Sequence, residues 1–124
     1  MERFWFVTGC LMAGIGVAAG AFGAHALKQR LSPEMLQVFE TGVRYQMYHA
    51  FGLMTVALTM ARWPNSWLQI SAYLFLLGII FFSGSLYALC LSGVRMLGAI
   101  TPIGGLCFMA GWAFLALAIG TGKH

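Results

Sequence analysis

Few residues in this 124-residue chain could do chemistry, and their types are narrow. His25 and His49 could accept or pass protons, and Arg44 could hold an anion in its planar fork of N–H donors. Around them the sequence offers Tyr45, Gln46, Tyr48, Ser83, Ser85, Tyr87, Thr101 and Pro102. On a helix Arg44 and Tyr48 share one face, and Tyr45 and His49 the adjacent one. Glu40 precedes Arg44 in the acid-first order that favours an i,i+4 pair. One reading is a small polar pocket for an anion, a small solute or a proton. The other is an interfacial network in which Tyr, Arg and His satisfy helix ends and anchor the fold.

Other chemistries lack their parts. Glu2, Glu34 and Glu40 are the only carboxylate side chains, so no acid pair exists for glycosidic work. Cys10, Cys90 and Cys107 stand singly, without a C-x-x-C, and read as small packing residues rather than metal ligands. The eight Met show no clustered ligand pattern. Two histidines are a bare minimum for haem ligation, with Arg44 for a propionate, and neither metal nor cofactor is expected. No G-x-S-x-G, Walker loop or H-E-x-x-H occurs, and the chain does not read as an enzyme.

Composition says what must position these groups. The chain is 60% hydrophobic and 8% charged, against about 25% charge in an average soluble domain. So few charges cannot cover a globular surface, which excludes a soluble protein. The formal net charge of +4 is not a nucleic-acid signal. Arg3, Lys28, Arg30, Arg44, Arg62, Arg95 and Lys123 are scattered at the edges of apolar runs, where basic side chains snorkel to lipid headgroups.

The runs predict one membrane domain over residues 1–124, with spans at about 4–27, 45–61, 67–92 and 96–120. Each approaches the roughly 20 residues that a bilayer core of about 30 Å requires. Ser32-Pro33-Glu34 reads as an N-cap, a first-turn proline and a first-turn acid. It predicts a short amphipathic helix over about 33–42, lying in the interface between spans 1 and 2. Pro64 with Asn65 and Ser66 ends the second span and caps the third. Pro102 is expected to bend the fourth helix. Ala24-His25-Ala26 has the form of a signal-peptidase site, but Glu2-Arg3 is nearly neutral and the apolar run too long, so it reads as a span. Cys10 lacks the preceding apolar core of a lipoprotein site. The expected architecture is all-α, an antiparallel four-helix membrane bundle.

Small residues are expected to bring the helices together, because lipid gives little hydrophobic drive to association. The first span carries Gly9, Ala13, Gly16, Gly20 and Gly23 or Ala24 along one face. The third has Ser71, Gly78, Ser85 and Ser92, seven residues apart, and the fourth Gly104, Gly111 and Ala118. These faces could close a monomer, or serve a homo-oligomer or an unknown membrane partner. An antiparallel bundle also gathers His25, Arg44, Tyr45, Tyr48, His49, Ser85, Tyr87 and Thr101 at one leaflet.

Four segments carry a family resemblance: Gly20 to Leu27 (GAFGAHAL), Thr41 to Ala50 (TGVRYQMYHA), Phe82 to Tyr87 (FSGSLY) and Ile100 to Gly105 (ITPIGG). Together they resemble the YgdD/YwdK-like small membrane proteins, a family of unknown function. The resemblance implies a four-helix integral membrane protein, in bacteria of the plasma or inner membrane, and carries over no catalytic residue. The expected role is a non-enzymatic membrane component or subunit whose first partner is the bilayer. The alternative is binding or translocation at the polar pocket.

Overall fold

In the computed structural model, residues 1–121 are described, all but Ala24 with their side chains. Gly122 and Lys123, expected just beyond the last span, lie outside the described residues. Regular structure among the described residues is entirely helical: α1 (Glu2–Ala26), α2 (Pro33–Arg62), α3 (Ser66–Gly78), α4 (Gly84–Ser92) and α5 (Thr101–Gly120). A π-helical turn, Ile79–Ser83, joins α3 to α4 in one continuous run, and a 3-10 turn, Arg95–Ala99, leads into α5.

Local chemistry sets these boundaries. Ser32 Oγ accepts the Met35 N–H at 3.2 Å, with Pro33 in the first turn of α2. Asn65 Oδ1 accepts the Trp67 N–H at 2.8 Å and starts α3. Gly93 closes α4 at φ 74°, a left-handed conformation that side chains with a Cβ avoid.

Three runs are long and apolar enough to cross a membrane: Glu2–Gly23, Ser66–Ser92 and Arg95–Gly120. The remaining long helix, α2, departs from the sequence expectation. The interfacial helix at about 33–42 and the span at about 45–61 are not separate elements but one helix of 30 residues. The reason is a single buried stripe. Phe39, Gly42, Gln46, His49, Leu53, Val56 and Met60 recur at alternating three- and four-residue steps and are all buried. A face that continuous cannot turn at residue 43 without exposing half of itself. Pro102 is also placed differently. It occupies the first turn of α5, where a missing N–H costs nothing, so the helix starts there instead of bending.

Helix pairing is antiparallel and mediated by glycine. Along α1, Gly9 lies against Ala50 and Met54, Gly16 against Met47, Gly20 against Val43 and Gly23 against Phe39. A Cβ on Gly9 would stand 2.8 Å from the Ala50 carbonyl oxygen. On the other side of the molecule Ser71 Oγ donates to Gly111 O at 2.7 Å, Gly78 faces Phe108, and Gly104 faces the Phe82 backbone. The small-residue faces expected to serve either a monomer or an oligomer are therefore filled by the chain's own helices. Ser92 is the exception; it is exposed and bonds back to Ala88 O. Gly42 and Gly52, absent from the expected packing set, admit the rings of Tyr87 and Phe75.

The core is built on Trp5, Leu53, Val56, Leu68, Ala72 and Phe75, all fully buried. The outside is apolar as well: Phe22, Leu58, Leu106 and Met109 are each more than 60% exposed.

Candidate functional site

Among the described residues, α2 carries two of the five buried polar side chains, Gln46 and His49, and the other three are Ser71, Ser83 and Ser85. Gln46 is 2% exposed and links three helices: its Nε2 donates to Met12 O at 2.8 Å, and its Oε1 accepts the Tyr87 hydroxyl at 2.7 Å. Ser83 Oγ donates to Gly42 O at 2.7 Å, and Cys90 Sγ to Met35 O at 3.2 Å. Each serine or cysteine uses a carbonyl lone pair that the helix ladder leaves over, which adds cross-links without breaking the ladder.

His49 lies on the neighbouring face of α2, 4% exposed and sandwiched among aromatic rings. Its ring is stacked on Phe108, with centroids 3.5 Å apart and planes 6° from parallel. Trp112 Nε1 donates to His49 Nε2 at 2.9 Å. Indole nitrogen can only donate, so Nε2 is the acceptor and Nδ1 carries the proton. That proton points to Tyr45 O, 2.7 Å away. Both nitrogens are thus engaged, and the geometry selects one neutral tautomer. An imidazolium would turn a second N–H against the Trp112 donor.

The eight residues expected at one pocket divide into several settings. Tyr45, Tyr48 and His49 line an open groove of about 860 Å³ between α2 and α5, with Phe82, Pro102, Phe108 and Trp112. Tyr87 sits across α2 from it, on Gln46. Ser85 Oγ and Thr101 Oγ1 meet at 2.7 Å, tying α4 to the start of α5. Arg44 is exposed and lines a different recess of about 300 Å³ between α1 and α2, with Gly20, Gly23 and Glu40. Glu40 and Arg44 form no ion pair. His25 is exposed at the end of α1, away from both grooves. His25 and His49 therefore do not face each other as haem ligands would.

Sequence reasoning passed over two residues that matter here. Trp112 supplies the donor that fixes His49, and its partner lies 63 positions away, with no local signal. Trp5 is fully buried and donates from Nε1 to Gln69 Oε1 at 2.9 Å, joining α1 to α3. Gln46 was visible among the polar residues, but its role as a three-helix link was not. No buried side-chain nitrogen or oxygen among the described residues lacks a hydrogen-bond partner.

The sequence profile of a family described as "Protein of unknown function (DUF423)" matches residues 19–105. This chain belongs to the DUF423 family. The matched stretch contains α2, the π turn, α4 and the start of α5, with all eight expected pocket residues. Among similar proteins is the UPF0382 membrane protein SSP2132 of Staphylococcus saprophyticus, 44% identical over 123 residues, 98% of each chain. The UPF0382 membrane protein YwdK of Bacillus subtilis is 39% identical over 117 residues, 94% of this chain and 95% of its own. The UPF0382 inner membrane protein YgdD of Escherichia coli is 38% identical over 114 residues, 92% of this chain and 87% of its own. The likeness expected from four short segments thus extends over most of this DUF423 chain. No solved structure matches it. The family, the apolar runs and the relatives' names agree that it is an integral membrane protein, as inner or plasma membrane proteins are.

Proposed function

We propose that the chain crosses the bilayer four times, α2 included, and works as a non-enzymatic membrane component. The observation that carries this is the polarity of α2. Its two polar side chains deepest in the helix are Gln46 and His49, and both turn inward and are saturated by partners on α1, α4 and α5. With those groups satisfied, α2 presents Tyr48, Phe51, Thr55 and Leu58 outward along its middle, and its exposed charges, Glu34, Glu40, Arg44 and Arg62, lie toward its two ends. At about 1.5 Å per residue the helix is about 45 Å long, enough to span core and headgroups. Inside the bundle, Gln46, His49 and Tyr87 are committed to partners, while Arg44 and His25 stand exposed at the surface, which supports a structural network over a transport site. Assembly with another copy or protein would use surfaces other than the glycine faces, which are filled. Extraction of isolated membranes tests the reading: the protein should resist alkaline carbonate and leave only with detergent. Release of a stable monomer by carbonate overturns it.

A further inference from the structure

We propose that the groove between α2 and α5 holds one acyl chain of an anionic phospholipid, with its headgroup at the Arg44 and Arg95 end. This inference rests on the membrane-spanning reading above. The groove begins at Pro102 in the first turn of α5 and ends at Trp112. Ten residues of helix cover about 15 Å, the depth of one leaflet of a roughly 30 Å core. Its lining is almost wholly apolar, and Leu106, Met109 and Tyr48 on its rim are all more than half exposed, so it opens sideways into hydrocarbon. Its floor is closed by the engaged His49–Trp112 pair, which leaves no buried polar group without a partner there. An acyl chain is the occupant whose length and polarity fit.

Charge selects the headgroup. The end where the groove starts carries Lys28, Arg30, Arg44 and Arg95 against Glu34 and Glu40. Neither arginine lines the groove itself: Arg44 borders the smaller α1–α2 recess and lies one turn before the rim residue Tyr48, and Arg95 opens the 3-10 turn that delivers Pro102. Both arginines are exposed, and neither is in an ion pair among the described residues. Two unpaired guanidinium groups at headgroup depth favour a phosphodiester with net negative charge over a zwitterion.

Trp112 reports on the site. The full chain is reconstituted in vesicles doped with either phosphatidylglycerol or phosphatidylcholine bearing brominated acyl chains. The Trp112 emission is read as the difference between the parent and Trp112→Phe. Phosphatidylglycerol should quench this component at lower mole fraction than phosphatidylcholine. Arg44→Gln and Arg95→Gln should each weaken that preference about fivefold, and the double variant should abolish it. Gly105→Leu adds bulk where only the Phe82 ring lies near, at 4.0 Å, and should reduce quenching by both lipids. Equal quenching by the two lipids, or a preference that survives in the double variant, overturns the proposal. So does Gly105→Leu without effect. Protection of Trp112 from both lipids in a dimeric protein assigns the groove to a second copy and also overturns it. Failure of the chain to co-sediment with vesicles overturns the membrane-spanning reading itself, an outcome distinct from any change in quenching.

Discussion

His49 and Arg44 are five positions apart and have opposite physical situations. His49 is clamped at both ring nitrogens and stacked on Phe108, so truncating it opens a cavity and orphans the Trp112 donor. His49→Ala should cost about 3 kcal/mol. Arg44 is exposed and in no ion pair, so Arg44→Ala should change stability by less than about 0.5 kcal/mol. Denaturant titration of both variants in mild detergent micelles, followed by far-UV circular dichroism, checks the contrast. Equal losses would refute the division of the polar set described here. Gln46→Leu should cost about 1–2 kcal/mol and Tyr87→Phe about half of that in the same assay, since hydrogen bonds between membrane helices average well below 2 kcal/mol each. The i,i+4 relation of Tyr45 to His49 could be read from spacing. The partners Trp112, Met12 and Tyr87 could not, because they lie tens of residues away and no pattern links them.

At the scale of elements, glycine spacing carries the most information. Gly104 approaches the Phe82 backbone, and an added Cβ would sit 2.7 Å from Phe82 Cα. Backbone in the π turn cannot move aside as a flexible side chain would, so Gly104→Ala should cost about 2 kcal/mol or more. Gly14 has nothing within 4 Å of where a Cβ would stand, and Gly14→Ala should be neutral or stabilising by up to about 1 kcal/mol. Midpoints of thermal unfolding in detergent should therefore move in opposite directions. Spacing separates the two, since Gly104 belongs to the small-residue face of its span and Gly14 stands outside that of the first span, but the neighbour of each comes from the fold. Ser71, Gly78, Gly104 and Gly111, spaced by seven within their spans, lie where α5 packs on α3 and the π turn. The Ser32-Pro33-Glu34 start and the charges of Glu34, Glu40 and Arg44 read locally as a short interfacial segment. The alternating three- and four-residue stripe from Phe39 to Met60 was present in the same sequence and is the stronger constraint, since burial of a whole face outweighs a few charges near its end.

For the molecule as a whole, alternation of helix direction places the Lys28 and Gly93 turns at one end and the Trp63 turn at the other. On a background with Cys10, Cys90 and Cys107 replaced by Ala, Gln29→Cys and Ser92→Cys should react with an impermeant thiol reagent from one face of sealed vesicles. Ser66→Cys should react only from the opposite face. Labelling of all three from the same side would contradict four crossings.

Composition by itself settled the solvent: so few charges cannot clothe a protein in water, and long uncharged runs require lipid. Segment lengths, caps and the heptad-spaced small residues likewise follow from local rules, because helix periodicity and turn chemistry act within a few residues. What tertiary structure alone decided is which polar groups meet. A shared leaflet was expected to make a shared pocket, yet helices have sides as well as ends. Rotation about each axis sends Gln46 toward Tyr87, His49 toward Trp112, and Arg44 outward. Those rotations are set by the close packing of glycine against ring and backbone, and that packing depends on all the helices at once.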